Sequence, residues 1–400
     1  MNDQIKIYKY RWVVLSTFMF INLTIQVLWI TFAPITSLAA EFYGVSDLRI
    51  GFLSMLFMIM FIPFSIPVSW VIDTHGFRIA VSIGAVLMGV FGLLRGFAGS
   101  NYSIVLWSTV GIAIAQPFLL NAWTTVPAKW FAVKERATMV GLITLSSLVG
   151  TGIGMVVTPI LVENNMPIPT IQLIYGGITV LSSLLFLLLA RETPPTPPDL
   201  AGGDVRALML DGLKNAFTVK SFWIYLLIAF IGLGIFNGIT TWVEAIIKPK
   251  GFSPTDAGTI GAVMLIGGVL GSVILPSFSD KLGKRKIFLQ SGLLLAIPGL
   301  LGLAYLNSFL LLLVSAFSLG FFLISLGPIG MQYAAEVTFP TPEGTSNGLI
   351  QLFGQASVVF VYVMGALRTP DGLFTPSLLL MVVLLCLSIF LSTQMKESIK

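Results

Sequence analysis

Charge is scarce in this 400-residue chain: Asp, Glu, Lys and Arg together supply 10% of it, where an ordinary soluble domain carries roughly 25%. Hydrophobic residues make up 56%, more apolar surface than a water-soluble interior can hide. Most of the protein therefore faces lipid. Cysteine is nearly missing as well, and the lone Cys386 excludes an internal disulfide. The single histidine is His75, and no metal-ligand cluster or nucleophile–base pair stands at useful spacing. That excludes an enzyme and implies no cofactor or metal. The longest polar stretch, 191–220, is only 30 residues, too short for the soluble domain of a receptor. A cleavable leader is not evident, because the first apolar run is too long and lacks a clear small-residue cleavage site. That run is expected to act as the targeting signal itself.

What is present is a series of apolar runs of about 20 residues or more, the length that crosses a hydrocarbon core about 30 Å thick. They fall at 12–40, 49–72, 77–98, 102–128, 137–162, 168–190, 221–247, 255–278, 286–306, 308–335, 345–367 and 373–394. Twelve such runs predict an all-α membrane protein, since an isolated span satisfies its backbone hydrogen bonds internally. The alternating ten-residue pattern of a membrane barrel is absent.

The net charge of +5 follows topology. With the N-terminus inside, inner loops and tails hold Lys6, Lys9, Arg11, Arg78, Lys129, Lys134, Arg136, Arg191, Arg206, Lys214, Lys220, Lys281, Lys284, Arg285, Lys286, Lys396 and Lys400. Only Arg49, Arg95, Lys248, Lys250 and Arg368 fall outside, which leaves 17 of the 22 basic residues within. That bias places both termini in the cytoplasm of a multi-pass protein of the plasma or inner membrane. The expected partners are the lipid bilayer and a small-molecule substrate, with no nucleic acid, and a monomer is expected.

The stretch 191–220 begins Arg191-Glu192-Thr193-Pro194-Pro195, and its prolines and glycines interrupt any continuous helix. It reads as a cytoplasmic linker between six-span bundles at 1–190 and 221–400. The two halves repeat each other. Gly44-Val45-Ser46 and Gly51 match Gly251-Phe252-Ser253 and Gly258, and Asp73 and Gly76 match Asp280 and Gly283, all at one offset of 207 residues. Two parallel six-helix repeats about a pathway describe the major facilitator fold of two pseudo-symmetric bundles. Asp280-Lys281-Leu282-Gly283-Lys284-Arg285-Lys286 resembles the acidic-glycine-basic signature of that superfamily, and Asp73-Thr74-His75-Gly76-Phe77-Arg78 is a degenerate copy. Asp73, Gly76, Arg78, Asp280, Gly283, Lys284 and Arg285 are therefore read as gating residues, with a carboxylate near a helix N-terminus and basic side chains gripping the other half. Gly150, Gly152, Gly154 and Pro159 in the fifth run are read as packing and bending positions.

Alternating access needs a substrate site near mid-membrane, marked by polar and aromatic residues deep in apolar runs. The first run offers Asn22, Gln26 and Trp29, and the fourth Gln116 and Asn121, with Pro117 able to bend it. Asn237, Thr240, Thr241, Trp242 and Glu244 stand in the seventh, and Asn347, Gln351 and Gln355 in the eleventh. Gln116 lies about fourteen residues into its run, roughly 21 Å along a helix. Asn22 and Asn347 read as helix-to-helix bonds, and Trp12, Trp107 and Trp130 as interfacial anchors. No Lys or Arg sits at mid-membrane in these runs, so an anionic substrate is poorly served. Amides and aromatics suit an ammonium held over ring faces, or a neutral polar solute. The alternative is a proton-coupled exporter of drugs or metabolites, with Glu244 or Glu336 as proton carrier.

Several stretches are more specific. Arg11-Trp12-Val13-Val14-Leu15, Phe42-Tyr43-Gly44-Val45-Ser46, Leu53-Ser54-Met55 with Ile62-Pro63, Ala115-Gln116 and Trp130-Phe131 resemble one group, as does the stretch from Glu336-Val337-Thr338-Phe339-Pro340 to Gly348. That group is the feline leukaemia virus subgroup C receptor-related family, solute carrier family 49. The resemblance implies facilitated transport of choline and ethanolamine, and haem transport has also been proposed for the family. It implies a pocket of tryptophan, glutamine, tyrosine and glutamine at Trp29, Gln116, Thr241 and Gln355. Thr241 departs from the aromatic wall, although Trp242 adjoins it, and Gln332 stands where the family tends to carry a glutamate.

Overall fold

Apolar segments that can satisfy their backbone only internally form helices. The computed structural model describes residues 8–196, 216–339, 341 and 343–397, and twelve helices among them are long and apolar enough to cross a membrane. They are α1 (Arg11–Tyr43), α2 (Asp47–His75), α3 (Phe77–Phe97), α4 (Tyr102–Trp130), α5 (Thr138–Glu163), α6 (Ile168–Leu189), α7 (Lys220–Lys250), α8 (Pro254–Leu282), α9 (Lys286–Tyr305), α10 (Phe309–Val337), α11 (Ser346–Ala366) and α12 (Thr375–Thr393). No strand occurs among the described residues. The expected all-α, twelve-span architecture is the one observed. Lys6, Arg206, Lys214, Lys400 and Pro340 lie outside the described residues, as does 197–215 of the expected linker.

Prolines stand at the internal breaks of α1 and α4. In α1 a helix over Arg11–Ile30 gives way to a 3₁₀ turn at Ala33–Ile35 before resuming at Thr36–Tyr43. Pro34 has no N–H, and its ring strikes the carbonyl four residues back, at Ile30. Pro117 sits in the last turn of the Tyr102–Leu120 helix, beyond which α4 resumes at Thr125–Trp130. The repeat is visible in the turns: Gly44 and Gly251 hold φ at 64° and 86°, and Gly76 and Gly283 at 87° and 62°, conformations that favour glycine.

Large side chains point outward, with Leu188 77% exposed and Phe97, Ile66 and Trp107 close behind. Such apolar exposure is tolerated because the surrounding solvent is lipid. Helices approach closely over small residues. A Cβ on Gly150 would strike the Leu23 carbonyl of α1, and one on Gly267 or Gly271 the α10 carbonyls of Phe317 or Phe321.

The chain separates into two compact units. The first comprises Met1–Phe32, Leu38–Ser46 and Leu56–Asp204, the second Ala33–Ser37, Asp47–Met55 and Val205–Lys400. Two short segments of α1 and α2 therefore belong with the later half of the sequence. Two other placements differ from expectation. Arg95, assigned to the outer side at the end of the 77–98 run, occupies the last turn of α3 and is fully enclosed, at 1% exposed. Trp130, expected as an interfacial anchor, is buried and donates from Nε1 to the Arg191 carbonyl at 3.1 Å.

Candidate functional site

In the first unit, α1 and the Tyr102–Leu120 helix of α4 pack together and carry Gln26, Trp29 and Gln116, all buried. Gln26 and Trp29 are three apart, on one side of the helix. The neighbouring amides are already committed. Asn22 accepts from Trp123 Nε1 at 2.7 Å and donates to the Phe18 carbonyl at 2.8 Å. Asn121 donates to the Ser65 carbonyl at 2.9 Å and to Ser69 Oγ at 3.0 Å, tying α4 to α2. Gln116 is different: its Oε1 is buried and has no hydrogen-bond partner. A buried acceptor left unpaired is unfavourable unless something else pairs it.

In the second unit, α7 packs against α11 through small residues. A Cβ on Gly234 would strike Phe360, and one on Gly238 would strike Met364. Asn237 and Thr241 are four apart on α7, as are Gln351 and Gln355 on α11, so each pair shares a helix face. Asn237, Gln351 and Gln355 are half-buried, and Thr241 is buried. Trp242 is 1% exposed. Its Nε1 donates to the Val361 carbonyl at 2.8 Å, its ring lies 5.7 Å from that of Phe374, and it fills the spaces left by Gly51 and Gly365. Its N–H is bonded and its ring is packed against Phe374, Gly51 and Gly365.

Glu244 is 2% exposed and accepts from the Ser37 hydroxyl at 2.5 Å and the Ser37 backbone N–H at 3.2 Å. Ser37 and Asp47 both belong to the segments that join the second unit, and Asp47 pairs with Arg368 at the end of α11. Glu336 on α10 is occupied: it accepts from Arg285 Nη2 at 3.1 Å and from Gln332 Nε2 at 2.9 Å.

The two signature turns share a device that the sequence reading did not find. The carboxylate on the N-terminus of α3 is Glu192. It accepts from the backbone N–H groups of Phe77 and Arg78 at 3.2 and 2.7 Å and pairs with Lys129. A Cβ on Gly76 would fall on this carboxylate. At α9 the corresponding group is Glu397, which accepts from the N–H groups of Arg285 and Lys286 at 2.7 and 3.0 Å. Both cases place a negative charge on exposed helix amides. The signal lay in Arg191-Glu192 and Lys396-Glu397, basic–acidic pairs that each follow the last span of a half. The Arg285 side chain turns inward, to Asp280, Glu336 and Ser279 of its own unit. Burial alone would lower its pKa, but the hydrogen bonds and charges of Glu336 and Asp280 outweigh that and raise it, so the cation persists. Gly283 closes the turn, while Asp73, Arg78 and Lys284 are exposed.

Twelve membrane helices, a repeated turn signature and buried amides in the spans are the marks of a membrane transport protein. The model of the Major Facilitator Superfamily matches residues 15–362 and 244–393, and the chain belongs to that superfamily. It is 28% identical over 404 residues to the choline/ethanolamine transporter flvcr2a of Danio rerio, covering 96% of this chain and 86% of that protein. Similarity to solute carrier family 49 member A3 of the same fish is 29% over 380 residues, 91% of this chain and 80% of the relative. Among solved structures, a bacterial homologue of the human lysosomal transporter Spinster, inward-facing and unoccupied, matches with a TM-score of 0.75 at 15% identity, over 98% of both chains. A point mutant of the nucleoside transporter NupG matches with a TM-score of 0.75 at 12% identity, over 96% of this chain and 99% of that one. These two matches concern the fold. The chain is thus a multi-pass transporter of small molecules, not an enzyme.

Proposed function

We propose that this transporter is an alternating-access facilitator for a small organic cation or polar amine of the choline or ethanolamine kind. The observation that carries the reading is the buried, unpartnered Oε1 of Gln116, an acceptor suited to a hydroxyl or ammonium N–H. The similarity to proteins named choline/ethanolamine transporters supports it. So does the sequence, which has no Lys or Arg within 12–40, 102–128, 221–247 or 345–367. Trp29 supplies a ring face for a cation, and Gln26, Gln351, Gln355, Asn237 and Thr241 supply further polar contacts. Trp242 is left out, because it is 1% exposed and its N–H is already bonded to Val361. The gating role of the two signature turns, the domains 1–190, 191–220 and 221–400, a monomeric state without nucleic acid, and a cell membrane with both termini cytoplasmic belong to the same proposal.

Uptake of radiolabelled choline and ethanolamine into proteoliposomes tests it. Gln116→Ala and Gln355→Ala should each lose most transport, roughly tenfold or more for one charge-assisted hydrogen bond lost, at unchanged expression. Trp29→Ala should raise KM for the cation more than Trp29→Phe does. Equal behaviour of the two tryptophan variants would exclude binding over the ring.

One observation favours a second reading, proton-coupled export: Glu244 is a buried carboxylate on α7 held by Ser37. Under that reading flux depends on an imposed pH gradient and Glu244→Gln removes the dependence. The facilitator predicts the same flux with and without the gradient.

A further inference from the structure

An arginine has no neutral form to retreat to, because its guanidinium stays protonated in proteins. Arg95 is nonetheless 1% exposed, in the last turn of α3. Nη1 donates to the Leu28 carbonyl at 3.0 Å, and the guanidinium carbon stands 5.4 Å from the centre of the Phe32 ring. Its Nε and Nη2 are buried without a hydrogen-bond partner. Among the described residues no carboxylate pairs with it. One carbonyl and one ring face offset only part of the desolvation of a full charge.

The groups around it are of one kind. The Tyr43 hydroxyl is buried and also has no partner. Its ring meets edge-on, at 6.1 Å, the same Phe32 ring that Arg95 stands over. Gln172 on α6 is 1% exposed, with both side-chain amide atoms unpartnered. Helices α3 and α6 run antiparallel, with Gly92 against Gly176 and Gly96 against Leu173, a register that sets Gln172 level with Arg95. All of these residues belong to the first unit.

A fixed cation with a hydroxyl and an amide, and no negative side chain, is the chemistry that binds an anion. Enclosure limits its size. We propose that Arg95, Tyr43 and Gln172 hold a small inorganic anion of chloride size, buried where α1, α3 and α6 meet. The ion neutralises Arg95, accepts from its Nε and Nη2 and from Tyr43, and turns the Gln172 amide nitrogen inward. The site stabilises the first unit and is independent of the residues proposed for the substrate.

The test is thermal unfolding of the full chain in detergent, in sodium chloride, bromide or gluconate at equal ionic strength. Chloride and bromide should raise Tm over gluconate by about 2–4 °C, in a saturable way. Arg95→Met should make Tm indifferent to the anion. Gln172→Leu and Tyr43→Phe retain the cation, and each should shift half-saturation to higher chloride; they carry the test if Arg95→Met does not fold. Equal Tm in all three salts for the unaltered chain overturns the proposal. A chloride response that survives unchanged in Gln172→Leu and Tyr43→Phe overturns it too, since the ion then binds elsewhere.

Discussion

Gln116 and Trp242 look alike in the sequence, each a side chain with a polar edge deep in an apolar run. Their surroundings separate them. Trp242 is packed against glycines remote in the chain, Gly51 and Gly365, and its N–H is spent on Val361. Gln116 keeps a free acceptor beside a proline-ended helix. Residue type and depth were legible; which amide or indole is already committed was not, because the partner lies on another helix. The same holds for Arg95, whose position near the end of a run resembles a loop residue until its burial is known. At this scale the glycine is the sharper probe. Gly51→Ala would drive a methyl into the Trp242 indole, so it should destabilise by about 1–3 kcal/mol, read as a lower midpoint in thermal unfolding. Gly141, a helical glycine with open space where a Cβ would go, is the control, and Gly141→Ala should hold the midpoint or raise it slightly.

Helix ends carry the second lesson. The repeat of 207 residues located both signature turns correctly, and positive φ values at Gly76 and Gly283 explain why glycine recurs there. The partner of the helix amides was not legible from the turn itself. It comes from the segment following the last helix of each half, as Glu192 at α3 and Glu397 at α9. Hydrogen bonds from consecutive backbone N–H groups to one carboxylate act as a cap supplied from a distance. Glu397→Ala should therefore cost about 0.5–2 kcal/mol, the range of a lost N-cap. Glu397→Gln, which retains an acceptor, should recover part of it. Hydrogen exchange at the Arg285 and Lys286 amides should rise in Glu397→Ala; unchanged protection there would contradict the cap.

Over the whole molecule, composition, run length and the absence of an alternating barrel pattern were enough for twelve helical spans, because lipid allows the backbone only helices or closed barrels. The division into halves was less direct. A linker at 191–220 is where the sequence breaks, yet Ala33–Ser37 and Asp47–Met55 cluster with the second unit. Contacts of Ser37 with Glu244, Asp47 with Arg368 and Gly51 with Trp242 explain the difference. None of these pairs announces itself in a linear reading.

That exchange of segments bears on how the gene can be cut. A fragment ending within 191–220 would carry Ser37, Asp47 and Gly51 into the membrane without Glu244, Arg368 or Trp242. The complementary fragment would fold around a carboxylate that has lost its serine, and an indole that has lost the Gly51 surface it packs on. Expressed apart, both pieces should be short-lived, as followed by pulse–chase. Expressed together as a split pair, they should protect one another and be recovered as one complex. The polypeptide break would then be tolerated while the interleaved segments, not the linker, hold the two products to a common fate.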